Sequence, residues 1–234
     1  MSFIEKFIEL FTKAKYLDSF LEGLKLTLII SAGATLIGLL LGVIVALVQI
    51  APKSKWMVVP KFIASFYITV IRGTPMALQL IIMAFVVFAI RDFPLWLTAV
   101  LSFGINSGAY VSENIRGGIL SVDIGQTEAG RALGLSRGVT MRQIVIPQAI
   151  KNVLPSIGNE LIALIKETSI VSMIGMYDLT MAAKDVGSGN KLASYVVPMT
   201  AAAVFYLAIV YFITFLIKIL EKRLRAGDKR SKTV

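Results

Sequence analysis

The stretch Leu26–Pro52, LTLIISAGATLIGLLLGVIVALVQIAP, holds no charged residue. A helix needs about 20 residues to cross the roughly 30 Å hydrocarbon core of a bilayer, so this run is long enough to span one. Three further charge-free runs follow, Gly73–Ile90, Phe93–Ser112 and Leu192–Ile217. A fifth segment, from Ile146 to about Met176, is similar in length and hydropathy but carries Lys151, Glu160, Lys166 and Glu167. None of these runs alternates with period two, as a barrel strand would. The sequence therefore predicts an all-α integral membrane protein with five transmembrane helices, at roughly 24–51, 57–90, 94–115, 146–172 and 192–220.

Composition supports that class. Of 234 residues 56% are hydrophobic and 16% charged, against about 25% charged in a soluble domain, and the mean hydropathy is +0.79. A soluble core of this size cannot hide so much apolar surface, which argues against a cytosolic enzyme or binding module. The chain has no cysteine and no histidine. That removes disulfides, thiol nucleophiles and cysteine-ligated metals, along with the commonest proton shuttle and metal ligand. Residues 1–22 mix seven charges with Phe3, Phe7, Ile8, Phe11, Ala14, Leu17 and Leu21 at helical spacing. They read as an amphipathic N-terminal interfacial helix rather than a cleavable signal.

The 24 Lys and Arg outnumber the 14 Asp and Glu, a formal net charge of +10. Most of the basic residues fall in three clusters: Lys53, Lys55 and Lys61; Arg116, Arg131, Arg137, Arg142 and Lys151; and Lys218, Lys222, Arg223, Arg225, Lys229, Arg230 and Lys232. If all three are cytoplasmic, the N-terminus is outside and the C-terminus, with its basic tail over 223–234, is cytoplasmic. The second segment is long for one helix, about 50 Å, and Arg72-Gly73-Thr74-Pro75 should break or kink it. Splitting it there would give six spans and place Lys53 and Lys55 outside. The first piece would then reach only about 24 Å, so five spans with a broken second one is the preferred reading.

About 30 residues separate the third and fourth spans, too many for a simple connector. Two short helices are predicted there. One starts near Asp123 to Thr127 and stops at Gly134; the next is capped by Ser136 and runs to Pro147. Within this loop Glu128-Ala129-Gly130, Gly134 and Ile144-Val145-Ile146-Pro147 resemble the "EAA" signature of ABC importer permeases, E-A-A-x3-G-x9-I-x-L-P. Gly130 replaces the second Ala and Ile146 the Leu. Arg72-Gly73-Thr74-Pro75, Gly108-Ala109-Tyr110-Val111-Ser112-Glu113 with Arg116-Gly117-Gly118-Ile119, and Lys166-Glu167-Thr168-Ser169-Ile170 are similar to the polar amino-acid uptake branch. These segments cover most of the chain from about residue 20 to 220.

The resemblance implies a type I ABC importer permease fold over residues 23–222, in the bacterial cytoplasmic membrane. It implies that the loop at about 116–146 is a coupling helix for a separate ATPase, with Glu128, Ala129, Gly130, Gly134 and Pro147 as the coupling residues. It also implies a pair of ABC ATPase subunits, an extracytoplasmic amino-acid-binding protein and a second permease copy or paralogue as partners. No G-x-x-x-x-G-K-[ST] occurs, so ATP and Mg are expected on the partner ATPase and no cofactor in this chain. No catalytic or metal site is expected.

Polar residues inside spans are costly and tend to face a cavity or another helix. On the third span Ser102, Asn106, Tyr110 and Glu113 fall within about 80° of one another, with Ser107 beside them. On the fourth, Asn159 and Glu160 lie about 20 Å past Pro147, near the bilayer centre. Asn159, Glu160, Asn106 and Ser107 are the candidate substrate-binding residues: a carboxylate and amides suit an amino acid's ammonium and carboxylate. The competing reading has Glu160 pairing with Lys166 or Arg72 and only holding the bundle together. Glu113 is expected to pair with Arg116 at i+3. The small-residue face Ala34, Gly38, Gly42, Ala46 reads as helix packing. A rival function is a self-sufficient ion-coupled transporter using Glu160 or Glu113, although no internal repeat supports it. An intramembrane hydrolase has no motif to place its nucleophile.

Overall fold

The computed structural model describes residues 2–188 and 195–230, and those residues are helical almost throughout. In chain order the helices are α1 (Phe3–Thr12), α2 (Ala14–Ile50), α3 (Val58–Gly73), α4 (Met76–Ile82), α5 (Leu95–Leu120), α6 (Ile124–Ala132), α7 (Arg137–Thr140), α8 (Ile146–Glu167), α9 (Leu179–Ser188) and α10 (Val196–Arg230). Wider π turns follow α4 (Met83–Val87) and α7 (Met141–Val145). A 3-10 turn over Lys55–Met57 precedes α3, and another over Thr168–Ile174 follows α8.

Contacts divide the chain into two compact units. The first comprises Met1–Leu36, Thr74–Gly104 and Leu161–Ile213, the second Ile37–Gly73, Ile105–Glu160 and Thr214–Val234. In the first, Leu10 of α1 and Phe20 of α2 are buried with Leu179 and Ala183 of α9 and Val197 and Ala201 of α10. Phe205 stacks between Phe11 and Phe20, with ring centroids 5.9 and 5.5 Å apart. Ser2 caps α1 by accepting from the Glu5 amide while the Glu5 carboxylate accepts from the Ser2 amide, which satisfies two donors at the helix start. The helix of the first 22 residues is interrupted at Lys13, and residues from Ala14 onward continue into α2.

Helix α9 has no counterpart among the sequence expectations. Its buried face, Leu179, Ala182, Ala183, Val186 and Gly187, follows helical spacing, but the helix is too short and too polar to stand out among the long apolar runs that mark spans. It is fixed at its start by Asp178, wholly buried. The Asp178 carboxylate accepts from the amides of Thr180 (3.0 Å) and Met181 (2.9 Å) and from the Tyr206 hydroxyl (3.4 Å). Burial pushes the carboxyl's pKa up, and these bonds pull against that shift. Gly23 lets α2 approach, since a Cβ there would lie 2.6 Å from the Asp178 carbonyl oxygen.

In the second unit Val45, Ala64, Ile68 and Ala109 form a core across α2, α3 and α5. Of the small-residue face on α2, Gly42 makes the close approach: a Cβ there would sit 2.5 Å from Val111 Cγ1 and 3.1 Å from the Ser112 nitrogen. Gly118 meets Val153 of α8 in the same way. That contact explains why α5 runs to Leu120 instead of ending at 115. Gly118, read as loop, is helical where Val153 of α8 packs on its bare backbone, whereas a Cβ on Gly117 would meet nothing within 4 Å.

Among the described residues, helices occupy most of each of the five expected segments. By length and apolarity alone, α2 and Val196–Leu224 of α10 are each sufficient to cross a bilayer. The expected second span is two pieces, Lys55–Gly73 and Met76–Val87, bent by 107° at Thr74–Pro75. The break expected at Arg72-Gly73-Thr74-Pro75 is thus present, between Gly73 and Met76. The helix begun at Ser136 does not end at Pro147: Pro147 falls just beyond a π turn, in the first turn of α8, where its missing N–H is tolerated. Residues 192–194 of the fifth expected span and 231–234 of the basic tail, with Lys232, lie outside the described residues.

The Asp178 cap makes a direct prediction. Asp178→Ala should cost about 1 kcal/mol locally, seen as roughly fivefold faster amide hydrogen exchange over Leu179–Ser188. Unchanged exchange would show that the cap does not hold α9.

Candidate functional site

All the candidate substrate and coupling residues fall in the second unit. One group forms the α6–α7 corner. Asp123 caps α6 through the Gly125 amide (2.7 Å) and Ser136 caps α7 through the Val139 amide (3.4 Å). Between the two helices Gly134 adopts φ +80°, the left-handed conformation that glycine enters without a Cβ clash. Its amide donates to the Arg131 carbonyl (3.0 Å) and the Leu135 amide to that of Gly130 (3.1 Å).

Gly130 is buried where α6 meets α7. A Cβ there would lie 2.7 Å from Thr140 Cγ2 and 3.2 Å from Ile144 Cδ1. The departure of Gly130 from the alanine of the signature thus has a steric reason in this chain: Thr140 occupies the space. Gln148 of α8 donates to the Gln126 side chain (3.2 Å) and Asn152 to the Ser121 hydroxyl (3.0 Å), which fasten the corner to α8. Glu128, Ala129, Gly134 and Pro147 are exposed. So are two large apolar side chains that the sequence reading passed over, Ile124 at 74% and Leu133 at 79%. Both lie in the long loop, Ile124 between Asp123 and Gly125 and Leu133 between Ala132 and Gly134, and a signal based on long apolar runs gives such residues no weight.

The second group lies on α5 and α8. Asn106 and Ser107 are buried, and the Ser107 hydroxyl has no hydrogen-bond partner. Their stretch of α5 is held to α3, because the Tyr67 hydroxyl donates to the Ile105 carbonyl and packs where a Gly108 side chain would be. On α8 Asn159 is exposed and Glu160 half-buried. Gly158, just before them, is buried against Ile217 of α10. Pro155 sits one turn earlier inside the helix and cannot donate to the Lys151 carbonyl, a local weakening next to Asn159 and Glu160.

Glu113 pairs with Arg72 and not, as the i+3 spacing suggests, with Arg116, which is exposed. Arg72 stands in the last turn of α3 and also lies over the Tyr110 ring, 5.1 Å from its centroid. Spacing along one helix could not reveal a partner on another. The ion pair and the ring contact together fix the end of α3 beside α5, and the half-exposure of both charged groups keeps the pair partly hydrated.

Comparison with known proteins adds five findings. The family described as "Binding-protein-dependent transport system inner membrane component" matches residues 38–226. The chain is 40% identical over 211 residues to the arginine transport system permease protein ArtQ of Bacillus subtilis (strain 168), covering 89% of this chain and 93% of that protein. It is 37% identical over 208 residues to the glutamine transport system permease protein GlnP of Escherichia coli (strain K12), covering 88% and 92%. Among solved structures it resembles an amino acid ABC transporter crystallised with histidines, at TM-score 0.82 and 38% identity over 95% of this chain and 99% of that one. The inward-facing MetNI methionine ABC transporter is similar at TM-score 0.74 but 17% identity, over 91% and 99%, and shows the fold alone.

The steric fit at Gly130 can be tested by a double substitution. Gly130→Val should destabilise the α6–α7 corner by about 1–3 kcal/mol, read as faster hydrogen exchange over 124–145. Adding Thr140→Ala should recover part of the loss; no recovery would mean that Thr140 is not what excludes a larger side chain.

Proposed function

The chain belongs to the family of inner membrane components of binding-protein-dependent transport systems, and on that premise we propose that it is the permease subunit of an ATP-driven amino-acid importer. The observation that carries this reading is the identity of about 40%, over nearly the whole chain, with permeases named for arginine and glutamine transport. Nothing in the comparisons favours the ion-coupled transporter. The subunit itself carries out no catalysis and holds no cofactor; ATP and Mg belong to the ABC ATPase pair.

That ATPase docks on the α6–α7 corner. Exposed Ile124 and Leu133 supply apolar anchors there, and the capped helices and the left-handed Gly134 give a pre-formed surface that loses little entropy on docking. Glu128, Ala129, Gly130, Gly134 and Pro147 are its coupling residues. ATP binding favours one arrangement of two permease copies and hydrolysis the other, so differential affinity of the partners drives alternating access. With the corner on the cytoplasmic side, the N-terminus is outside and the C-terminus inside, as the basic clusters require.

The extracytoplasmic binding protein delivers a polar amino acid to Asn159 and Glu160 on α8 and to Asn106 and Ser107 on α5. Glu160 would take the ammonium and the amide and hydroxyl groups the carboxylate. The unpartnered Ser107 hydroxyl supports this reading, because a buried hydroxyl without a partner costs about 1–3 kcal/mol.

Reconstitution of the chain with ATPase and binding protein in liposomes tests the proposal. Amino-acid uptake should require ATP and both partners; uptake by this chain alone under an ion gradient would overturn it. In the same system Glu160→Gln should cut uptake at least about tenfold, the loss of one charge-assisted bond, without preventing ATPase assembly. Full uptake by that variant would return Glu160 to a packing role. Leu133→Asp should abolish substrate-stimulated ATP hydrolysis while leaving membrane insertion intact, and unchanged stimulation would place the docking surface elsewhere.

A further inference from the structure

Between α2 and α3 the chain leaves one long apolar helix and enters another through Ala51–Ser54 and the turn Lys55–Met57. This elbow encloses an open hollow of about 390 Å³ lined by Lys53, Ser54, Lys55, Met57, Val58 and Lys61. The Lys61 ammonium donates to the Ala51 carbonyl (2.5 Å), closing one side over the end of α2. The Lys55 ammonium stands 5.7 Å from the centroid of the Trp56 ring, and Trp56 is 80% exposed.

No acidic residue occurs between Glu22 and Asp92, and among the described residues none of the three lysines takes part in an ion pair. The hollow therefore carries unneutralised positive charge. Along α3 from the same point, Val59, Phe62, Ile63 and Phe66 are each more than half exposed, with Phe62 and Phe66 stacked 6.5 Å apart. Apolar α2 before Ile50 and apolar α3 after Val58 put the lysines and Trp56 at the level of lipid headgroups.

We propose that this elbow binds an anionic glycerophospholipid, its phosphate in the hollow between Lys53 and Lys55 and its acyl chains along the Val59–Phe66 face of α3. A topology signal needs only the number of lysines. Here they frame a concavity, one is tied to the end of α2, and an uncovered aromatic and aliphatic face continues from it. That continuity favours a lipid over an acidic patch of a soluble partner, which reaches the lysines but not the face below them. The proposal is independent of which substrate the protein transports.

The full-length chain in detergent, titrated with phosphatidylglycerol and separately with phosphatidylcholine of the same acyl chains, gives the test by native mass spectrometry. Phosphatidylglycerol should bind with a clear preference, and Lys53→Gln with Lys55→Gln should weaken it by about fivefold for each lysine removed. Lys53→Arg with Lys55→Arg should keep binding, which guards against mere misfolding of the glutamine variant. Lys222→Gln, at an exposed lysine outside the hollow, should change nothing. Equal binding of the two lipids, an equal loss in Lys222→Gln, or displacement of the lipid by inorganic phosphate would each overturn the proposal. So would release of the lipid when ATPase subunits assemble on the chain, which would assign the lysines to the protein partner.

Discussion

Hydrocarbon offers no water to a peptide group, so a chain this apolar must satisfy its backbone hydrogen bonds within itself, and helices do that locally. Once the segments are helical, their association cannot rely on the hydrophobic effect, because lipid tails are as apolar as leucine. What remains is close packing, and it is concentrated at glycines. Gly23 meets the Asp178 backbone, and Gly42, Gly118 and Gly158 receive the side chains of Val111, Val153 and Ile217, each where a Cβ on the glycine would collide. The polar residues of the candidate site are positioned as a consequence. Asn159 and Glu160 follow Gly158, and Asn106 and Ser107 precede Gly108, each pair one residue from a close approach.

The fold class was legible because it rests on long-range averages. A charge-free run of 27 residues such as Leu26–Pro52 says "membrane helix" whatever its order, and the caps at Asp123 and Ser136 and the stop at Gly134 are local rules that the α6–α7 corner obeys. Features set by a neighbour distant in the chain were not legible. Helix α5 continues through Gly118, on which Val153 of α8 packs, and Glu113 pairs with Arg72 about forty residues upstream, though Arg116 is nearer in sequence. Helix α9 is short and carries Lys184 and Asp185, so it forms no long apolar run, although Leu179, Ala182, Ala183 and Val186 follow helical spacing. In the site, the spacing identified which polar residues share a face of α5, but not that Ser107 would be left without a partner.

The corner also changes how its motif should be read. A signature of small residues looks like a requirement at single positions. In this chain it is a volume shared by Gly130 and Thr140: the methyl absent at one is present at the other. Leu133 and Ile124, by contrast, take no part in that fit and are exposed at 79% and 74%. At Gly130 the motif describes the internal fit of the corner.

The Arg72–Glu113 pair bears on how the protein is made. Synthesis proceeds from the N-terminus, so Arg72 emerges and approaches the membrane while its carboxylate partner is still untranslated. During that interval the charge has no acidic neighbour in a stretch reaching from Glu22 to Asp92. Its place in the last turn of α3, where the helix dipole favours a cation, eases the wait. The counter-charge arrives only with α5, so the ion pair at the end of α3 forms only after Glu113 has been synthesised.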